Sequence, residues 1–370
     1  MKKFAVFNEI TLDVSAMRHN IKFLERASKL GVIPVLKSNA YGHGISQIAS
    51  VLDQLGTRIV AVDSYYEAIR ARNAFSGRIL VMGSICRDNV KHLKNKRISY
   101  VVQTTDDLHA FGKTRWRFDI HLEINTGMNR LGLKPNGIQA YLRVLKKFKN
   151  LRLEGIMTHL ASADAPEDSS AEQQVKMFDE AVEKILAAGF SPDIVHVANS
   201  AGVGRAKSRF ANFVRPGIAI YGIDVLSEKD KRFKNFEKLK PVLELRSTII
   251  KVINLKKGEM VGYGGSFVAP RPMRIGILPL GYYEGVARAL SNSGVVTAPN
   301  GQELPVVGRV CMNHTMVDLS STRLIEGNKV IVINRDSKAR NSVMGLQREF
   351  GLFSYETLAR LSESIRRVVE

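Results

Sequence analysis

Lys37 ends the apolar run Val32-Ile33-Pro34-Val35-Leu36 and opens the segment Ser38-Asn39-Ala40-Tyr41-Gly42-His43-Gly44. An amine at the end of a buried strand tolerates desolvation poorly unless it gives up its charge or forms an imine with an aldehyde. A lysine whose stem is buried and whose head reaches water fits the same position. Farther along, Asn199-Ser200-Ala201-Gly202 and Gly217-Ile218 are built from small residues. These let backbone N–H groups approach an anion such as a phosphate, and they equally suit ordinary turns. An aldehyde cofactor with a phosphate tail needs both an imine-forming lysine and a phosphate cradle. Asp63 and Glu123 keep a carboxylate pair for glycosyl chemistry open. The histidines, cysteines and carboxylates do not converge on a metal-ligand pattern, and no Gly-x-Ser-x-Gly elbow occurs.

The elements that must position these groups are legible from the hydrophobic pattern. Eight strand-length apolar runs occupy 32–37, 58–63, 78–83, 98–103, 119–125, 153–160, 194–199 and 213–222. Their nearly continuous apolar character is that of strands buried on both faces. Amphipathic stretches such as 137–147 and 172–188 lie between them. Eight strand–helix units predict an α/β chain that opens with a (β/α)₈ TIM-type barrel, over 11–235. A doubly wound sheet is the rival, but no Gly-rich dinucleotide turn follows the first strand. Barrels place reacting groups at the C-terminal ends of their strands. That rule selects Lys37, Asp63, Gly83, Gln103, Glu123 to Arg130, His159, Asn199-Ser200 and Arg215 to Tyr221.

After about residue 235 the runs become short, β-prone and separated by turn residues. They predict a mostly antiparallel β domain over 236–370, closed by a helix at 354–367. Residues 1–10 read as an isolated strand that joins this second domain. The chain has 370 residues, 45% hydrophobic and 24% charged, which is ample for two cores and argues against disorder. Cys86 and Cys311 cannot make a disulfide framework. No apolar run is long enough to cross a bilayer, and the apolar start ends at Asn8 and Glu9, short of a signal peptide. A cytoplasmic protein without a membrane partner is expected. The 55 basic against 35 acidic residues give +20. The basic residues are scattered, with no zinc-finger spacing or aromatic–basic signature, so nucleic acid is not the expected partner.

Several motifs carry a family resemblance over nearly the whole chain. Val35-Leu36-Lys37-Ser38-Asn39-Ala40-Tyr41-Gly42-His43-Gly44, Thr126-Gly127-Met128-Asn129-Arg130-Leu131-Gly132, Thr158-His159-Leu160-Ala161-Ser162-Ala163-Asp164, Ala198-Asn199-Ser200-Ala201 and Arg215-Pro216-Gly217-Ile218-Ala219-Ile220-Tyr221-Gly222 follow one another. Gly262-Tyr263-Gly264, Leu280-Gly281-Tyr282 and Gly308-Arg309-Val310-Cys311-Met312 come later. The sequence resembles the pyridoxal-phosphate-dependent alanine racemases of bacteria.

The resemblance implies a homodimer with shared active sites that interconverts L- and D-alanine, using pyridoxal 5′-phosphate and no metal, and supplies D-alanine for peptidoglycan. Lys37 would carry the cofactor and act as one base, and Tyr263 of the partner subunit would be the other. Tyr41, Ser200, Gly217, Ile218 and Tyr221 would lie near the phosphate. Arg215 would face the pyridine nitrogen, and His159 would lie near the ring. Arg130 and the Met312 backbone would hold the substrate carboxylate, and Tyr282 would line the approach path.

The sequence departs from the family pattern at several of these places. Glu123 stands where many members carry a lysine modified to a carbamate, so a Glu123–Arg130 ion pair is expected to brace the arginine. Asn125 and Asn313 replace aspartates. Tyr282-Tyr283-Glu284-Gly285 replaces Tyr-Ala-Asp-Gly. The last change keeps a racemase of broader specificity in view. A non-catalytic pyridoxal-phosphate carrier is the remaining alternative, but such barrels usually lack a second domain.

Overall fold

A computed structural model describes residues 5–93, 97–165, 167–205, 207–226 and 230–370. The first described strand is β1 (Asn8–Leu12). Residues 1–4 of the expected N-terminal strand lie outside the described residues. The helix Val14–Ser28 follows, with the Asp13 carboxylate accepting from the Ala16 N–H as its N-cap.

Eight parallel strands come next: β2 (Gly31–Val32), β3 (Ile59–Val62), β4 (Arg78–Val81), β5 (Ile98–Val102), β6 (Phe118–Glu123), β7 (Leu151–Met157), β8 (Ile194–His196) and β9 (Phe213–Val214). Their order is β2-β9-β8-β7-β6-β5-β4-β3. A parallel bridge between Val35 and Ala61 joins the two ends of that order and closes the barrel. The first strand is shorter than its apolar run because Pro34 has no N–H to give to a ladder. The Pro34 carbonyl still accepts from Ala61, and Leu36 donates to the Ala61 carbonyl. Run 213–222 likewise stops early at Pro216, and Ile218–Tyr221 form a single 3₁₀ turn. The α/β barrel expected from the eight apolar runs is therefore present, with helices at 138–147 and 170–187 close to the expected ranges.

The rest of the chain is largely antiparallel. It contributes β10 (Leu243–Thr248), β11 (Lys251–Leu255), β12 (Met260–Val261), β13 (Phe267–Val268), β14 (Met273–Leu278), β15 (Val295–Thr297), β16 (Glu303–Pro305), β17 (Thr315–Asp318), β18 (Lys329–Ile333) and β19 (Arg366–Val369). One six-stranded sheet has the order β16-β15-β18-β10-β1-β19. In it β1 pairs antiparallel with β10 and parallel with β19. The closing helix expected over 354–367 is a correction: it spans only Ser354–Ala359. Arg366–Val369 turn to β structure because the open edge of β1 needs a partner and Val368-Val369 suit a strand. No helix among the described residues is long and apolar enough to cross a membrane.

Candidate active site

The C-terminal ends of the barrel strands surround a cavity of about 400 Å³. It is lined by Lys37, Tyr41, Glu123, Arg130, His159, Ser200, Arg215 and Gly217, which the structure brings together from widely separated segments. Asp63, Gly83, Gln103 and Asn199 complete the strand-end set there. A larger cavity of about 560 Å³ lies beside Tyr282, lined mainly by aliphatic side chains such as Val286, Leu290 and Leu346. Two of its ionisable groups, Glu356 and Arg360, pair with each other. The chemistry therefore belongs to the Lys37 cavity.

The segment after Lys37 makes a left-handed turn. Ser38, Asn39, Ala40 and Tyr41 have φ of 54°, 54°, 55° and 50°. Each such non-glycine residue costs about 1–2 kcal/mol. Hydrogen bonds, some from distant parts of the chain, offset that cost. Ser38 N–H donates to Glu67 Oε1 at 2.6 Å, Asn39 Oδ1 accepts from Ile45 N–H at 2.8 Å, and Arg367 donates to the Gly42 carbonyl. The turn brings Tyr41 back to the cavity that Lys37 enters. No ion pair holds the Lys37 amine among the described residues.

One wall suits a phosphate. Ser200 Oγ accepts from the N–H groups of Gly217 at 3.0 Å and Ala219 at 3.3 Å. A Cβ on Gly217 would stand 2.2 Å from Tyr41 Oη, so only glycine leaves that phenol its place. Tyr355 adds a second phenol, its ring 6.1 Å from that of Tyr41. Burial pushes the Tyr41 hydroxyl well up and that of Tyr355 to about 12, with neighbouring acidic groups adding to both. Both phenols are therefore protonated donors at neutral pH, as an anion requires.

Strand-end logic could not find Tyr355, because it reaches the barrel from the C-terminal helix. Tyr221 is a correction. It is fully buried, stacks on His43 at 4.2 Å and donates to the Val35 carbonyl at 3.1 Å, outside the cavity lining. Ile218 is also fully buried behind that wall.

The floor carries positive charge. Arg215 is 3% exposed, and burial draws its guanidinium down to about 10, which still leaves it cationic at neutral pH. It donates to the Thr158 carbonyl at 2.7 Å and contacts His196 Nδ1 at 3.1 Å. His159 is held neutral, its pKa lowered to about 3 by burial and then by Arg215, Arg130 and Lys37.

The expected Glu123–Arg130 ion pair does not form. The Glu123 carboxylate is 5% exposed and accepts from Gln103 Nε2 at 3.0 Å, while Arg130 sits exposed on the loop above. The short glutamate side chain stays in the floor instead of reaching the loop. Burial raises its pKa, and the Gln103 hydrogen bond, Arg215 and Arg130 oppose the rise.

Tyr263, Tyr282 and Met312 do not join the cavity of the same copy. They are 71%, 46% and 55% exposed. Tyr263 opens a short 3₁₀ turn between β12 and β13. Tyr282 and Met312 lie on neighbouring backbones, since Tyr282 N–H donates to the Cys311 carbonyl and Tyr283 N–H to that of Met312, both at 3.0 Å. Asn313 is exposed beside them. No cluster of three or more metal-binding side chains occurs among the described residues.

Comparison with known proteins adds an independent line. Residues 12–225 match the alanine racemase N-terminal domain and residues 242–369 the alanine racemase C-terminal domain. The chain is 32% identical to an alanine racemase of Helicobacter pylori, with all of both chains covered. It resembles the crystal structure of alanine racemase from Bacillus anthracis with bound L-Ala-P, at 27% identity and a TM-score of 0.89, covering 100% and 96% of the two chains. It also resembles that from Bartonella henselae with covalently bound pyridoxal phosphate, at 26% identity and a TM-score of 0.82, covering 99% and 100%.

Proposed function

The chain belongs to the alanine racemase family and is a pyridoxal-phosphate-dependent isomerase, and from that premise we propose that it interconverts L- and D-alanine with two bases, Lys37 and the Tyr263 of a second copy. The observation that carries this reading is the Lys37 amine. Among the described residues it has no ion-pair partner, and its cavity has two phenols and the Ser200 hydroxyl on one wall and a buried arginine in the floor.

Lys37 would hold the cofactor aldehyde, and Tyr41, Ser200, Gly217 and Tyr355 its phosphate. When bound, that group acidifies the α-proton of an amino acid by delocalising the electron pair left behind. Lys37 Nζ removes or returns that proton on one face, and the Tyr263 oxygen does so on the other. Two bases on opposite faces spare the substrate from turning over between the two transfers. Arg130 and the Met312 backbone hold the carboxylate, and Tyr282 lines the approach. Arg215 would face the ring nitrogen; being cationic and a donor only, it would disfavour a second positive charge there. Neutral His159 can pack close to the ring without adding charge.

The exposure of Tyr263, outside the Lys37 cavity of its own copy, supports a homodimer with shared sites. We divide the chain into a barrel domain over 11–235 and a β domain over 236–370 that includes the N-terminal strand. The product would serve peptidoglycan synthesis in the cytoplasm. The test is the absorbance of the purified protein before and after borohydride, with D-alanine followed in the same sample. A yellow protein that bleaches with label on Lys37 and racemises alanine is expected. A yellow protein without racemisation points to another substrate, and a colourless one that cannot be reconstituted defeats the reading.

A further inference from the structure

Beneath the cavity a line of polar groups crosses the otherwise apolar barrel interior. Arg215 meets His196 Nδ1 at 3.1 Å, His196 Nε2 meets His121 Nδ1 at 2.8 Å, and His121 Nε2 meets Glu154 Oε2 at 3.2 Å. Glu154 also takes the Ser99 hydroxyl and pairs with Arg78 at the far end of the barrel. Both imidazoles are fully buried, and Glu154 is 1% exposed. Polar groups are desolvated here at a cost of several kcal/mol unless they are all paired. Two buried histidines and a glutamate are therefore an expensive way to fill a core.

The place for His121 is also specially made. The β6–β7 register shifts between Ile120 and His121. A Cβ on Gly155 of β7 would stand 2.3 Å from His121 Nδ1. A bulge turns the ring inward, and a glycine opposite makes room for it.

The two ends fix the direction of every hydrogen bond between them. A guanidinium has only donors, so His196 Nδ1 must accept. A neutral imidazole then carries its one proton on Nε2, so His196 donates to His121 Nδ1. His121 in turn donates from Nε2 to the carboxylate. Burial keeps both rings neutral, lowering the pKa of His121 to about 3 and that of His196 well below the ordinary imidazole value. If Glu154 were not an acceptor, both rings could reverse. His196 would then present an N–H to Arg215, two donors would face each other, and the arginine would be pushed from its place.

We propose that His121 and Glu154 are positioning residues of the active site, which act through His196 to lock Arg215 in the orientation that offers its remaining N–H groups to the cavity. This rests on the proposed role of Arg215 opposite the cofactor ring nitrogen. Neither His121 nor Glu154 lines the cavity, so any effect on the cofactor must pass through the arginine.

The test uses the holoenzyme loaded with pyridoxal phosphate labelled with nitrogen-15 in the ring. The variants are His121→Phe, which keeps a ring but no hydrogen bonds, and Glu154→Gln, which keeps an acceptor but no charge. Tyr100→Phe serves as the control, because the Tyr100 hydroxyl is buried on β5 without a hydrogen-bond partner among the described residues. Three quantities are read: the ring-nitrogen resonance, KM and kcat for alanine, and pyruvate released per alanine racemised, the amine then staying on the cofactor.

In His121→Phe the resonance is expected to leave its wild-type position and the pyruvate ratio to rise about tenfold, the effect of losing one hydrogen bond to a charged group, with KM unchanged. Glu154→Gln should move both quantities in the same direction by less, and Tyr100→Phe should move neither. Folded variants that keep the wild-type resonance and pyruvate ratio overturn the proposal, even if their thermal stability falls. Should His121→Phe fail to fold, Glu154→Gln decides alone. A wild-type holoenzyme whose own ring-nitrogen resonance is unaltered by Arg215→Lys overturns the parent role of Arg215 and this proposal with it, whereas unchanged His121 and Glu154 variants beside a responsive Arg215→Lys overturn this proposal alone.

Discussion

Asn313 donates its side-chain amide to Glu284 Oε1 at 2.8 Å, so two of the positions at which this chain departs from the family pattern bind each other. The other oxygen of Glu284 accepts from the Gly281 N–H at 2.8 Å. This carboxylate is 9% exposed and is neutralised by no ion pair among the described residues, so it needs donors without negative charge. Asparagine supplies one, and the pair ties segment 281–285, with Tyr282, to segment 311–313, with Met312. Asn313→Asp should place two carboxylates against each other and cost roughly 1–3 kcal/mol. Thermal unfolding at neutral pH should register the loss as a lowered midpoint. Adding Glu284→Gln to Asn313→Asp should restore the wild-type midpoint, and a double variant no more stable than Asn313→Asp would show that the two side chains do not couple.

The buried histidines predict acid lability. His43 is lowered to about 4, His121 and His159 to about 3, and burial also draws His196 well below the ordinary imidazole value. Their folded pKa values lie below the unfolded value of 6.5. Stability from keeping them neutral is fully present above pH 6.5 and is lost as pH falls toward 3. The slope should reach roughly 1.4 kcal/mol per pH unit for each histidine. Urea unfolding of the cofactor-free protein between pH 7 and 4.5 measures the slope, and uptake of fewer than two protons contradicts the expectation.

Glu123 has the opposite sign. Its folded pKa is raised, so holding it as a carboxylate costs stability as pH climbs past its unfolded value. Glu123→Gln in the cofactor-free protein should therefore match the wild type near pH 4 and exceed it by about 1 kcal/mol at pH 7. The amide still offers Gln103 an acceptor. A variant less stable than the wild type at pH 7 would mean that Arg215 and Arg130 repay the burial of the charge.

Tyr355→Phe removes one donor from the proposed phosphate wall and little volume. Affinity for pyridoxal phosphate, titrated by absorbance after dialysis, should fall about tenfold, which is the worth of one hydrogen bond to a charged acceptor. Tyr221→Phe should leave that affinity unchanged while lowering stability, since the Tyr221 hydroxyl serves the Val35 carbonyl. The reverse pattern would return Tyr221 to the phosphate.

The left-handed turn gives a substitution of unusual sign. Ser38 is exposed at φ 54°, where glycine pays no steric cost. Ser38→Gly should raise stability by up to about 1 kcal/mol, the steric relief of about 1–2 kcal/mol less the entropy glycine loses on folding. A destabilised variant would mean that the serine side chain matters more than its backbone.

Strand ends were the legible part of the site. Lys37, Glu123, His159, Ser200 and Arg215 follow from eight apolar runs and the rule that barrels react at one end. The rest needed three dimensions. Tyr355 comes from a helix more than three hundred residues beyond Lys37, with no local signal of where it docks. The left-handed conformation of Ser38 to Tyr41 follows from partners such as Glu67 and Arg367, which lie far away in sequence. The Glu123–Arg130 pairing failed because sequence spacing does not say whether a side chain faces floor or loop. His121 and His196 sit in the apolar runs 119–125 and 194–199, where alternation alone cannot tell a buried relay from an isolated polar residue. The helix expected at 354–367 lost its second half to the edge of β1, a demand that arises only once the sheet exists.

That demand has a consequence for biosynthesis. β1 is synthesised before the barrel strands, yet both of its neighbours, β10 and β19, are made after them. The barrel segments are translated in the interval and can close while β1 still lacks its sheet. Until β19 arrives, one edge of β1 presents unpaired N–H and C=O groups, the template on which nascent chains aggregate. A chain cut before Arg366 keeps that edge for good. Slow or interrupted translation of Arg366–Val369 should thus expose this protein to aggregation more than equal delays within the barrel.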